Sequence, residues 1–114
     1  MNLKTSSRQV DGVTIVDLSG RIVLGEESAM LRDELKGLVA RGQKNILLNL
    51  GEVNYIDSSG LGALVSGYTS VTSQQGQLKL LKLTKKVHDL LQITKLLTVF
   101  QVFDDEAKAV GSFK

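Results

Sequence analysis

Two adjacent serines, one aspartate and two glycines share the short run Ile56-Asp57-Ser58-Ser59-Gly60-Leu61-Gly62. The apolar residues 45–50 upstream predict a buried strand, and apolar residues recur downstream at helical spacing. The two hydroxyls therefore lie where a strand ends and a helix begins. At that place backbone N–H groups are unpaired and the helix dipole is positive. A hydroxyl there can cap the helix, act as a nucleophile, or accept a phosphoryl group.

Capping of the helix by Asp57 or Ser58 is the simplest role, and an N-cap contributes about 1 kcal/mol to stability. The glycines at positions 60 and 62 argue for more than a cap, because each costs about 1 kcal/mol relative to alanine inside a helix. Glycine leaves the backbone bare, so another surface can approach it closely. We therefore predict a flat docking strip at Gly60 and Gly62, bordered by the two hydroxyls.

A nucleophilic serine needs a base, usually histidine, and a third group that orients the base. The one histidine is His88, in another predicted helix beside Lys85 and Lys86, and a Gly-x-Ser-x-Gly elbow is absent. Nucleotide-binding glycine motifs are absent too, and Asp57 would repel a phosphate ligand. We expect no catalytic residue, cofactor or metal, and keep a small serine hydrolase using Ser58 or Ser59 as an alternative.

Phosphorylation fits the two serines best. A phosphoryl group adds about −1.5 to −2 charges at neutral pH, and the positive end of the helix dipole favours it. Asp57 and Glu52 nearby make the field more negative, so a partner docked on the strip would meet a desolvated charge. The modification is expected to switch binding while leaving the fold largely intact.

The composition indicates one globular domain over residues 1–114. The net charge of +2 argues against a nucleic-acid binder. The absence of cysteine excludes disulfides and thiolate metal sites, and it suits a reducing cytoplasm. No apolar run approaches the roughly 20 residues of a membrane span, and the polar N-terminus lacks a signal peptide. We therefore expect a cytoplasmic protein that contacts neither nucleic acid nor membrane.

Helical and alternating patterns divide the chain into short elements. Strands are predicted at residues 13–18, with a hairpin partner across Asp11-Gly12, and at residues 45–50, 77–83 and 98–103. Helices are predicted at residues 26–40 and 58–73, after Thr84 as N-cap, and after Asp104-Asp105. Strand–helix–strand order implies parallel pairing. The fold class is therefore α/β, with a mixed, mostly parallel sheet of about five strands and helices mainly on one face.

The serine motif, with Asn49-Leu50 before it, resembles the signature of STAS-domain anti-anti-sigma factors (anti-sigma factor antagonists). The resemblance covers nearly the whole chain, including the ending Phe103-Asp104-Asp105-Glu106-Ala107. It implies that Ser58 is phosphorylated by a serine/threonine kinase that is also the anti-sigma factor. It also implies that the unphosphorylated form binds this kinase and releases sigma, and that a PP2C-type phosphatase restores this form.

The partner-binding surface implied by the resemblance departs from the family at one edge. Many members carry an acidic Glu-Leu-Asp run after the glycine of the second strand, whereas Gly20 is followed here by Arg21-Ile22-Val23. The predicted surface comprises Asp57, Ser58, Ser59, Gly60, Leu61, Gly62, Arg21, Asn54 and Tyr55. We expect a monomer or weak dimer. A STAS scaffold or sensor module and a transporter accessory subunit are the alternative roles.

Two further predictions concern side chains outside the motif. Tyr68 falls on the apolar side of its helix and is predicted to be core. A basic cluster is predicted to be a solvated face, with docking of an acidic partner as the alternative. That cluster consists of Lys79, Lys82, Lys85 and Lys86.

Overall fold

The computed structural model describes residues 3–114 as alternating strands and helices. The order is β1 (Leu3–Val10), β2 (Val13–Ile22), α1 (Glu26–Ala40), β3 (Asn45–Ile56), α2 (Ser58–Ser73), β4 (Gln77–Leu81), α3 (Lys85–Ile93), β5 (Val102–Phe103) and α4 (Glu106–Gly111). Helices α1 and α2 have the predicted bounds. Within these residues, no helix is long and apolar enough to cross a membrane.

The five strands of the described residues form one sheet in the order β1-β2-β3-β4-β5. Strands β1 and β2 pair antiparallel, with Val10 opposite Val13. Their turn residues Asp11 and Gly12 have φ values of 50° and 81°, and positive φ at both central residues is what a type I′ hairpin turn requires. The other three pairs are parallel, which confirms the mixed, mostly parallel sheet.

Side chains alternate between the two faces of the sheet along each strand. Both faces carry an apolar cluster, and one cluster is larger than the other. One face packs against α1, α2 and α3 through a large apolar core that includes Val16, Leu48 and Leu80. The opposite face carries a smaller cluster in which Ile15 and Leu47 pack against residues of α4. The helices therefore lie mainly on one face, as predicted, with α4 alone on the other among the described helices.

The final strand and the fourth strand are shorter than predicted. Strand β4 ends at Leu81, because Lys82 adopts a left-handed φ of 57°. Only Val102 and Phe103 pair in β5, since residues 98–100 form a turn that buries Phe100 against Tyr68 with an edge-on ring contact. This contact confirms that Tyr68 packs on the core.

Two side-chain clusters hold α4 on the sheet. The Arg8 guanidinium donates to both carboxylate oxygens of Asp17 on β2 and of Glu106 on α4, at 2.7–3.2 Å. The Lys79 ammonium donates to the Ser112 carbonyl and hydroxyl, both at 2.9 Å, and is only 5% exposed. The prediction of a solvated basic face is therefore wrong for Lys79, because this side chain extends from β4 to the residue that follows α4.

Candidate functional site

The junction between β3 and α2 is organised by Asp57. The strand continues to Ile56, six residues beyond the predicted end, and Asp57 then takes the N-cap position of α2 in an extended conformation. Its Oδ1 accepts from the Gly60 N–H at 2.9 Å, and its Oδ2 accepts from the Leu24 N–H at 3.0 Å. One carboxylate thus fixes both the start of α2 and the loop that leads from β2 to α1.

The capping contacts also set the charge of Asp57. The pKa of the Asp57 carboxyl lies below its usual range, because backbone N–H groups donate to the ionised form. The Gly60 N–H has the largest effect, and the Leu24 N–H and further backbone N–H groups add to it. The group is therefore ionised at neutral pH, and it occupies the N–H groups that a bound anion would need. This arrangement speaks against a nucleotide phosphate site at the start of α2.

The hydroxyls of the two serines take no part in the cap. Ser58 is the first residue of α2 and is exposed, and Ser59 behind it is half-buried. Within residues 3–114, neither hydroxyl has a hydrogen-bond partner. Since Asp57 caps the helix, the Ser58 hydroxyl is left free for chemistry at the surface.

The two glycines of the motif have different surroundings. Gly60 is buried, and a Cβ there would overlap the Ile22 carbonyl oxygen and lie 2.8 Å from Ile56 Cγ1. Gly62 is exposed, and the nearest atom to a Cβ there would be Arg32 Nη2 at 3.9 Å. The bare docking strip predicted from both glycines is therefore wrong for Gly60, which lets α2 pack closely on β2.

Leu61 is also misplaced in the predicted partner surface. Its side chain is 6% exposed and belongs to the main core, because the position after Gly60 faces the sheet. The exposed members of the predicted surface around the turn are Ser58, Gly62, Arg21, Asn54 and Tyr55, with Asp57 and Ser59 half-buried between them.

Leu24 and Lys86 lie beside this surface, although the sequence did not assign either residue to it. The Leu24 side chain is 75% exposed although its N–H is bonded to Asp57. The Lys86 Nζ lies 5.7 Å from the centre of the Tyr55 ring, and the Arg21 Cζ lies 5.3 Å from it. An apolar residue in the loop before Gly25 was the available signal for Leu24. No sequence pattern linked Lys86 to Tyr55, since α3 and β3 meet only in the fold.

Among residues 3–114, no histidine is positioned to activate Ser58 or Ser59. The His88 ring contacts Asp89, with Nδ1 3.4 Å from Oδ1, and makes no hydrogen bond to Ser58 or Ser59 within the described residues. A base that activates a serine has to lie within hydrogen-bond reach of it. No group of three metal-binding side chains is found in residues 3–114.

Comparison with known proteins agrees with this architecture. Residues 4–109 match the family model of the STAS domain. The anti-sigma F factor antagonist of Paenibacillus polymyxa is 31% identical over 111 residues, which are 96% of this chain and 94% of the relative. The anti-sigma-B factor antagonist of Bacillus subtilis is 32% identical over 111 residues, 97% of each chain.

Solved structures agree at the level of the fold. The Bacillus cell fate determinant SpoIIAA in its phosphorylated form superposes with a TM-score of 0.76 at 17% identity. The superposition covers 97% of this chain and 100% of that one. The resemblance seen in the serine motif is therefore confirmed over nearly the full length, and the chain belongs to the STAS-domain family.

Proposed function

We propose that this chain is an anti-sigma factor antagonist whose binding to an anti-sigma serine/threonine kinase is switched off by phosphorylation of Ser58. The observation that carries the proposal is the separation of roles at the start of α2. Asp57 accepts the capping N–H of Gly60, while the exposed Ser58 hydroxyl has no partner within residues 3–114. The Ser58 hydroxyl is thus not needed to cap the helix. Two relatives over 30% identical that are named anti-sigma factor antagonists support the same role.

The proposed switch depends on how much phosphorylation changes the charge at the junction between β3 and α2. Asp57 already carries one negative charge, because its pKa is lowered by the Gly60 N–H and the other backbone donors. A phosphoryl group on Ser58 would raise the local charge to about −2.5 to −3. The positive end of α2 lies there too, so the helix tolerates the added charge. A partner that covers the turn has to desolvate that charge, which weakens docking.

The proposed cycle requires no reaction catalysed by this chain. The kinase supplies the phosphoryl transfer to the Ser58 hydroxyl, and a PP2C-type phosphatase removes the group. In the unphosphorylated state, the exposed residues around the turn hold the kinase and sigma is released. The role of this chain is to present one serine on a rigid helix start and to change its surface charge there.

Affinity capture followed by binding measurements tests the proposal. Wild-type chain, Ser58→Ala and Ser58→Asp are used as baits in extract of the source bacterium, with and without ATP, and retained proteins are identified by mass spectrometry. Without ATP, we expect wild type and Ser58→Ala to retain an ATP-binding serine kinase; with ATP, retention should fall for wild type and persist for Ser58→Ala. Against the purified kinase, Ser58→Asp is expected to lose at least about tenfold in affinity, or about 1.4 kcal/mol.

Ser59 provides the matched control for the acceptor. Phosphate incorporation is expected to persist in Ser59→Ala and to vanish in Ser58→Ala. A Ser58→Asp variant that binds the kinase as tightly as wild type would refute the charge switch. Retention of a membrane transporter subunit in place of a kinase would favour the accessory-subunit role.

A further inference from the structure

The Arg21, Tyr55 and Lys86 side chains form a small basic and aromatic surface next to the serine junction, here called the Tyr55 patch. The Arg21 guanidinium and the Lys86 ammonium lie 5.3 and 5.7 Å from the centre of one Tyr55 ring. Tyr55 itself is 39% exposed. Three elements contribute to the patch, because Arg21 is on β2, Tyr55 on β3 and Lys86 on α3.

Neither cation of the patch is paired with a carboxylate in the part of the chain that the structure describes. Within residues 3–114, neither Arg21 nor Lys86 forms a salt bridge, whereas the neighbouring Lys85 is paired with Asp89 at 2.9 Å. Contact with an exposed aromatic ring attracts each cation to the ring face without neutralising its charge. The ring therefore restricts two uncompensated positive charges to one place, and less entropy is lost when a partner binds them.

We infer that the Tyr55 patch is a recognition surface for an acidic patch on the partner protein, and that it selects which kinase this chain binds. The inference rests on the proposed function, since the kinase supplies the acidic patch. Charge complementarity argues for this occupant: two unpaired cations beside an exposed ring fit carboxylates on a protein surface. The exposed Leu24 side chain, 75% exposed near the same turn, adds an apolar contact.

The position of the patch links it to the switch. Tyr55 precedes Ser58 by three residues, so their Cα atoms lie within about 11 Å of one another by chain length alone. This upper limit is comparable to the Debye length, which is about 8 Å at physiological ionic strength and about 10 Å at 0.1 M. A phosphoryl group on Ser58 would therefore offset part of the positive potential that attracts an acidic partner, in addition to blocking the turn.

Charge reversal tests the inference with the kinase recovered by the wild-type chain. Association rates are measured for wild type, Arg21→Glu, Lys86→Glu and the double variant, at about 50 mM and about 500 mM salt. We expect each single reversal to slow association about tenfold at low salt and the double variant about 100-fold, with the differences shrinking at high salt. Lys108→Glu is the matched control, since this exposed lysine on α4 lies on the opposite face of the sheet.

A second arm identifies the facing residues of the kinase. Cross-linking from position 55 followed by mass spectrometry should locate Asp or Glu residues, and their replacement by lysine should restore binding to Arg21→Glu. Unchanged association of the double variant, alongside a lost affinity of Ser58→Asp, overturns the Tyr55 patch inference alone. If no variant recovers a kinase, both the inference and the proposed function fail. Binding to phosphatidylglycerol vesicles that is lost in the double variant, with kinase association unaffected, assigns the patch to a membrane instead.

Discussion

The two motif glycines should respond to alanine with opposite signs. In Gly60→Ala, the new Cβ would overlap the Ile22 carbonyl oxygen and would lie 2.8 Å from Ile56 Cγ1 and 2.9 Å from the Ile22 carbonyl carbon. Two of these neighbours are backbone atoms of β2, so no side-chain rotation can relieve the overlap. The start of α2 has to move away from the sheet, and the Gly60 N–H then moves away from the Asp57 carboxylate.

The expected magnitude follows from three contributions. Overpacking of a close contact costs about 1–3 kcal/mol, and loss of the cap costs about 1 kcal/mol. Higher helix propensity of alanine returns up to about 1 kcal/mol. The net loss is about 1–3 kcal/mol, or a fall in Tm of about 4–12 °C for a domain of this size. Gly62→Ala meets no atom nearer than 3.9 Å and should gain about 0.5–1 kcal/mol.

Thermal and urea unfolding, followed by circular dichroism, measures both variants against wild type. Equal m-values would show that the changes concern stability and not the unfolded state. A Gly60→Ala variant as stable as wild type would refute the close approach of α2 to β2. It would favour instead the prediction that Gly60 belongs to the docking strip. A loss of stability in Gly62→Ala would refute the open surroundings of that position.

Two further predictions concern titratable groups. Asp57→Ala should lower the free energy of unfolding by about 1 kcal/mol. Because the pKa of Asp57 is lower in the folded state, this contribution is fully present above the unfolded pKa of 3.8 and disappears as pH falls through the folded pKa. Thermal melts of both proteins from pH 7 to pH 2 measure it. Burial lowers the pKa of Lys79 below 10.5, so the unfolded state holds this proton more tightly and the Tm of wild type relative to Lys79→Met should rise from neutral pH towards 10.5. A Tm difference that stays constant with pH would contradict either prediction.

The framework of the fold could be predicted from the sequence because its signals are local. The Asp11-Gly12 turn, the helix spacing in α1 and the apolar run that opens β3 each depend on a few neighbouring residues. The short β5 could not be predicted in this way, since residues 98–103 have strand-like composition. Burial of Phe100 against Tyr68, a contact between distant parts of the chain, converts half of that segment into a turn.

The candidate site also combines features that follow from neighbouring residues with features that depend on distant contacts. The strand-to-helix junction predicted a cap by Asp57 or Ser58, and the structure gives the cap to Asp57 and leaves Ser58 exposed. The role of Gly60 depends on the carbonyl of Ile22, which is 38 positions earlier in the chain and reaches the glycine only through the parallel pairing of β2 with β3. A glycine required for close packing and a glycine required for a bare surface look alike in sequence.

The packing of Gly60 would allow the proposed charge switch to leave the domain intact. A rigid helix start needs tight contacts, and these are made by Gly60 against β2 and by Asp57 with two N–H groups. Ser58 lies between the two residues in sequence but outside their contacts. Modifying its hydroxyl therefore changes the charge that a partner meets without breaking a hydrogen bond of the fold. A switch placed on Ser59, which is half-buried, would have to disturb the packing that positions the helix.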